Sequence, residues 1–168
     1  MIARVLALLG GLAGGASLSQ FPEYSQQYIQ RLAGAVDELT LFVTEFDADA
    51  ASVGLSRDEA LQELGASGEL GAARAETIGT TVQRYERMKD ALEVLQTAGP
   101  FTRAYNAVQF NDLDIAQAAM DDFKPAVPLN FEGVVFTGIG FLTGWLVIGL
   151  VLGLLGRVIF GRRAARAS

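Results

Sequence analysis

The chain has no cysteine and no histidine among its 168 residues. Without cysteine there is no disulfide, no thiol nucleophile and no thiolate metal site, and cysteine usage cannot report the redox compartment. Without histidine, the usual acid/base of neutral pH and the commonest metal ligand are missing. Most familiar active sites are thereby excluded. Lysine occurs twice against eleven arginines, tryptophan once and proline four times. No strand-like alternation of any length appears, and neither a Walker A sequence nor a G-x-S-x-G elbow is present. Acidic residues are absent before Glu23 and after Glu132.

What is abundant is apolar surface. Hydrophobic residues make up 51% of the chain, and the mean hydropathy of +0.30 is too high for a disordered chain and higher than a soluble domain needs. Residues 133–156 form 24 consecutive positions without a charge, which as a helix would extend roughly 36 Å, enough to cross a bilayer. Arg157, Arg162, Arg163 and Arg166 follow at once, and basic residues so placed orient that end toward the cytoplasm. At the other end, Val5 to Leu18 is a shorter apolar run behind Arg4. It satisfies the pattern of a signal peptide, with small residues at Ala16, Ser17 and Ser19. With Arg4 snorkelling, a helix from Met1 to Phe21 reaches about 31 Å, so a retained span is the expectation.

Between the spans the charge balance changes sign. Residues 20–132 carry all nineteen acids against eight bases, a net −11. The expected fold is an all-α membrane protein: two transmembrane helices forming a hairpin with both termini in the cytoplasm, and an extramembrane antiparallel helical bundle. The expected boundaries are a first span at 1–20, an acidic periplasmic bundle at 21–130, a second span at 131–157 and a basic cytoplasmic tail at 158–168.

Ile29, Leu32, Val36, Leu39, Val43 and Phe46 follow a 3-4-3-4-3 spacing and predict one apolar stripe of a long helix. Pro22 suits its first turn. Phe21, Tyr24 and Tyr28 fit either the headgroup layer or a continuation of the stripe. Gly54 ends or interrupts the helix, and Ser56-Arg-Asp-Glu59 has the form of a capping box opening a short helix through Leu64. Gly65 and Gly68 punctuate again. A helix from about Leu70 to Ala98 places Ile78, Val82, Tyr85, Met88, Leu92 and Leu95 at helical spacing, until Gly99-Pro100 stops it. Another begins near Thr102 with Ala104, Tyr105 and Val108, and continues or restarts at Asn111/Asp112 with Leu113, Ala116, Met120 and Phe123 on one face. Pro125 and Pro128 lead into the second span, for which Asn130 is the expected N-cap.

Candidate chemistry is sparse. Asp47-Ala-Asp49 begins like a calcium loop, but Ala51 and Ser52 stand where a ligand and glycine are required, so solvated helix-end carboxylates are the better reading. The glycines at 138, 140 and 144 do not have dinucleotide-fingerprint spacing and follow no strand. Asp121/Asp122 is not distinguished from other carboxylate pairs. No catalytic residue, metal or cofactor is assigned, and the acidity argues against nucleic acid.

The glycines of the spans carry more. Ala3, Ala7, Gly11, Gly15 and Ser19 recur every four residues, with Gly10 and Gly14 beside them. On the second span Gly133, Gly140 and Gly144 fall within about 40° of one another, and Gly138, Gly149, Gly153 and Gly156 lie on nearly the opposite side. Small residues let helix backbones approach closely, which is where packing energy comes from in lipid. One face is expected to meet the first span and the other a neighbouring protomer.

The stretch SQFPEYSQQYIQRLAGAVDEL at 19–39, after a glycine-rich N-terminal span and with a second span near the end, resembles the bacterial DUF2937 family of uncharacterised membrane proteins. The resemblance implies a bacterial inner-membrane protein with a periplasmic acidic region, and brings no activity or catalytic residues. The functional expectation is a non-enzymatic structural or assembly protein whose partners are the lipid bilayer and either copies of itself or other membrane-protein subunits. The alternatives are a periplasmic sensing or ligand-binding module that signals through a partner, and a channel, for which neither span offers a polar stripe.

Overall fold

The computed structural model describes residues 1–125 and 129–164, with side chains through Arg157. Seven α-helices and one short 3₁₀ turn succeed one another, and the described residues include no strand. The chain divides into two compact units, one of Met1–Ser25 with Lys124–Ser168 and one of Gln26–Phe123.

The first unit is built on α1 (Ile2–Leu18) and α7 (Phe131–Ala164), with the first residues of α2 (Phe21–Ser52). Both apolar runs are long and apolar enough to cross a membrane. In Phe131–Arg157 the most apolar stretch reaches a mean hydropathy of 2.2 with only 6% of it buried. Asn130 caps α7, its side-chain oxygen accepting the Gly133 N–H at 2.8 Å, which supplies one of the donors a helix start leaves open. The Phe21 and Phe136 rings meet at 5.4 Å. Pro128, expected in the linker, lies outside the described residues, as does Arg166.

The second unit contains the rest of α2 with α3 (Arg57–Ala66), α4 (Glu69–Thr97), α5 (Pro100–Tyr105), the 3₁₀ turn Ala107–Gln109 and α6 (Leu113–Asp121). Gly54 and Gly68 stand at φ of 81° and 108°, a region that L side chains avoid, so the chain reverses there. Ser56 forms the capping box, its N–H donating to Glu59 Oε2 at 2.8 Å while its hydroxyl accepts from the Glu59 N–H. Between α3 and α4, a Cβ on Gly71 would stand 2.3 Å from the Leu64 carbonyl oxygen, so only glycine lets the two helices come this close.

Val43 of α2 shares a core with Ile78 and Val82 of α4, flanked by Phe42, Phe46, Leu61, Leu64 and Tyr85. Ile29, Leu32, Val36, Leu92 and Leu95 are buried as well, and Tyr28, Leu32 and Leu95 have no exposed surface. Leu39, Phe46 and Tyr85 are half-buried at the margin. Tyr28 belongs to this interior, its ring centroid 4.7 Å from that of Phe110.

Two expectations are corrected. Tyr105 and Val108 do not form a buried helical face: α5 starts at Pro100 and ends at Tyr105, and Val108 sits in the 3₁₀ turn, where Asn106 has broken the helical run. On α6 the packed residues are Ile115 and Ala119, while Leu113 and Met120 point outward. The rotation of this short helix is set by its Asp112 cap, which long-range partners hold in place.

Candidate functional site

The seam between α1 and α7 concentrates the residues that sequence spacing singles out. Ala7, Gly11, Gly15 and Ser19 are buried along one edge of α1, whereas Ala3 at its start is exposed. Against them stand Gly140, buried, and Gly144, half-buried, on α7, and Gly133 nearer its start is buried as well. A Cβ on Gly140 would meet the Gly14 carbonyl oxygen at 2.3 Å, one on Gly144 the Gly10 carbonyl oxygen at 2.3 Å, and one on Gly14 the Gly140 carbonyl oxygen at 2.4 Å. Gly10 and Gly14, half-buried beside the ladder, therefore approach α7 as closely as the ladder does. Rising numbers on α1 meet falling numbers on α7, from Ile148 opposite Gly10 to Thr137 opposite Gly15, so the pair is antiparallel.

Among the described residues the close contacts of this seam are made by glycine, Phe141, Thr137, Leu18 and Ile148, with Arg4 at its margin. The polar groups near it are satisfied locally: the Ser19 hydroxyl donates to the Ala16 carbonyl at 2.8 Å and that of Thr137 to the Gly133 carbonyl at 2.7 Å. The arrangement supplies backbone proximity and packing between α1 and α7. Two apolar grooves run beside the seam. One of about 350 Å³ is lined by Ala3, Arg4, Ala7, Trp145, Leu146, Gly149 and Leu150. The other, of about 360 Å³, lies over Gly14, Ser17, Leu18, Gly140, Thr143, Gly144 and Val147.

The second glycine face of α7 is uncovered. Gly138, Gly149 and Gly153 are exposed, Gly156 is half-exposed, and a Cβ at any of the four would have no non-local neighbour within 4 Å. The two faces that sequence geometry separates thus differ in environment, Gly140/Gly144 against α1 and Gly149/Gly153 in the open.

Carboxylates in the second unit are organised by arginine. Arg57 donates to both Asp47 oxygens at 2.7 and 2.5 Å and approaches Glu86 at 3.8 Å, joining α3 to α2 and α4. Asp47 is thus an ion-pair partner and not merely a solvated helix end. Its hydrogen bonds with Arg57 hold its carboxyl below the usual carboxylate range. Arg84 grips Asp112 at 2.9 and 3.0 Å and reaches Asp114 at 3.1 Å. Asp112 also caps α6 by accepting the Ile115 N–H at 3.1 Å, and its own N–H donates to the Tyr28 hydroxyl at 3.3 Å. Burial pushes this carboxyl up, but the hydrogen bonds from Arg84 and Ile115 and the arginine charge outweigh it, and the net shift is downward. Asp122 pairs with Arg31. Sequence reading places a continuation or restart of the helix at Asn111/Asp112, but it gives no sign that Asp112 is the cap or that it pairs with Arg84, which is a tertiary contact. Among the described residues no three acidic side chains converge as a metal site would require.

A family model, described as a protein of unknown function (DUF2937), matches residues 2–161. No curated protein and no solved structure matches the chain. With nearly its whole length matched, the chain belongs to the DUF2937 family.

Proposed function

We propose that this DUF2937 member is a non-enzymatic protein of the bacterial inner membrane that builds an assembly, either with itself or as an accessory subunit of a larger membrane complex. α1 and α7 cross the bilayer as a hairpin with both termini cytoplasmic, and residues 21–130 form an acidic antiparallel bundle in the periplasm. The basic ends and the acids confined between Glu23 and Glu132 support that orientation.

The single observation that carries the assembly reading is the second face of α7. One glycine face is consumed by α1, and on the other a Cβ at Gly138, Gly149 or Gly153 would meet none of the described residues within 4 Å. Large side chains around it are exposed too, among them Leu142, Leu146, Leu150 and Leu154, which suits lipid and flat helix contacts rather than water. A heterologous contact repeated through such a face closes into a ring when its rotation permits. The test is extraction of the native protein in mild detergent, followed by sizing and mass spectrometry of what accompanies it. Recovery of a lone monomer would contradict the proposal.

A further inference from the structure

We infer that residues 100–110, helix α5 with the 3₁₀ turn behind it, form an interfacial anchor lying in the headgroup layer of the bilayer. The inference rests on the membrane reading above and adds a second point of attachment to it. Between Glu23 and Glu132 the longest interval without an acid is 94–111, and its only charge is Arg103. In a region of net −11 this is the one long segment that an anionic surface would not repel. Tyr105 and Val108 are 89% and 76% exposed, and neither α5 nor the turn contributes a buried residue. The unit's own core therefore does not account for Tyr105 and Val108.

The segment is held in place. Arg103 donates to the Leu95 carbonyl at 3.1 Å, closing the end of α4, and to the Gln26 side chain at 3.0 Å. Phe110 packs on Tyr28. Gln26 follows Leu18, the last residue of α1, by eight positions. The anchor is thus fastened to the end of its unit at which the chain arrives from the apolar helix. Tyrosine suits the headgroup layer, where its ring is partly dehydrated and its hydroxyl remains solvated. Leu113 and Met120 are exposed as well, but Asp112, Asp114 and Asp121 adjoin them, so they do not extend the patch.

Tryptophan fluorescence of the full chain in vesicles of phosphatidylethanolamine and phosphatidylglycerol tests this. A fraction of phosphatidylcholine brominated either near the headgroup or near the chain end serves as quencher. Trp145 is the only tryptophan, so the unaltered protein reports on the span alone, and Trp145→Phe/Tyr105→Trp reports on the anchor alone. The indole at 105 should emit to the blue of free indole, lose more emission to headgroup-proximal than to chain-end bromine, and resist aqueous iodide. Adding Val108→Asp should restore iodide access. Quenching of Trp145 with no bromine quenching at 105 would overturn the anchor while leaving the span, whether iodide reached the indole or a covering protein excluded it. Unquenched Trp145 would overturn the membrane reading and the anchor together.

Discussion

Gly14 and Gly140 face each other so closely that a Cβ on Gly140 would lie 2.3 Å from the Gly14 carbonyl oxygen. Backbone meets backbone here, so a larger residue cannot be accommodated by turning a side chain aside. Gly140→Ala should cost about 1–3 kcal/mol by overpacking. Gly140→Leu/Gly144→Leu should impair folding or expression. Gly138→Ala, on the open face, should be neutral. Thermal unfolding in one detergent compares the variants, and equal midpoints for Gly140→Ala and Gly138→Ala would show that the seam is not as close as described.

The acidic unit should depend on its buried leucines rather than on the whole heptad stripe. Leu32 and Leu95 have no exposed surface, and truncating either to alanine should cost about 2–5 kcal/mol. Leu39, near the middle of the stripe but half-buried, should cost clearly less. Denaturant midpoints of the three variants provide the ranking.

Much of the helical punctuation is legible in the sequence because it is local. Ser56 and Glu59 announce a capping box, Asn130 a cap, Gly54 and Gly68 reversals, and each acts over a few residues. The long apolar helix α7 is legible because an uncharged run of 24 residues leaves little else for it to be. The face of α6 is not, since nine residues give little periodicity and its orientation depends on Asp112 meeting Arg84 and Tyr28, 28 and 84 positions away. The glycine faces of α7 can be separated by angle alone. Which of them meets α1 depends on the crossing of two helices, and no local pattern encodes that.

Acid should loosen the second unit through Asp47 and Asp112. Hydrogen bonding with Arg57 lowers the first, and for the second the hydrogen bonds from Arg84 and Ile115 outweigh a burial that raises it. Both therefore ionise more readily folded than unfolded. Their contribution is fully present above the unfolded value, about pH 4, and is lost as pH falls below it through the folded values. Melting curves between neutral pH and acid should show Asp112→Asn losing stability at neutral pH and responding less to acid. Asp112→Ala, which also removes the cap, should be less stable than Asp112→Asn by about 0.5–2 kcal/mol. An unchanged acid response in Asp112→Asn would assign the effect elsewhere.

Topology is accessible through the absence of cysteine. Ser67→Cys should react with a membrane-impermeant thiol reagent in intact spheroplasts, and Ser168→Cys only after lysis. The reverse pattern would invert the hairpin.

The claim that one glycine face of α7 closes the hairpin while the other joins protomers is tested most directly by native mass spectrometry of Gly149→Leu/Gly153→Leu beside the unaltered protein. The unaltered protein should be larger than a monomer, and the variant should remain folded but form a smaller assembly. Identical sizes and stabilities for the two would contradict it.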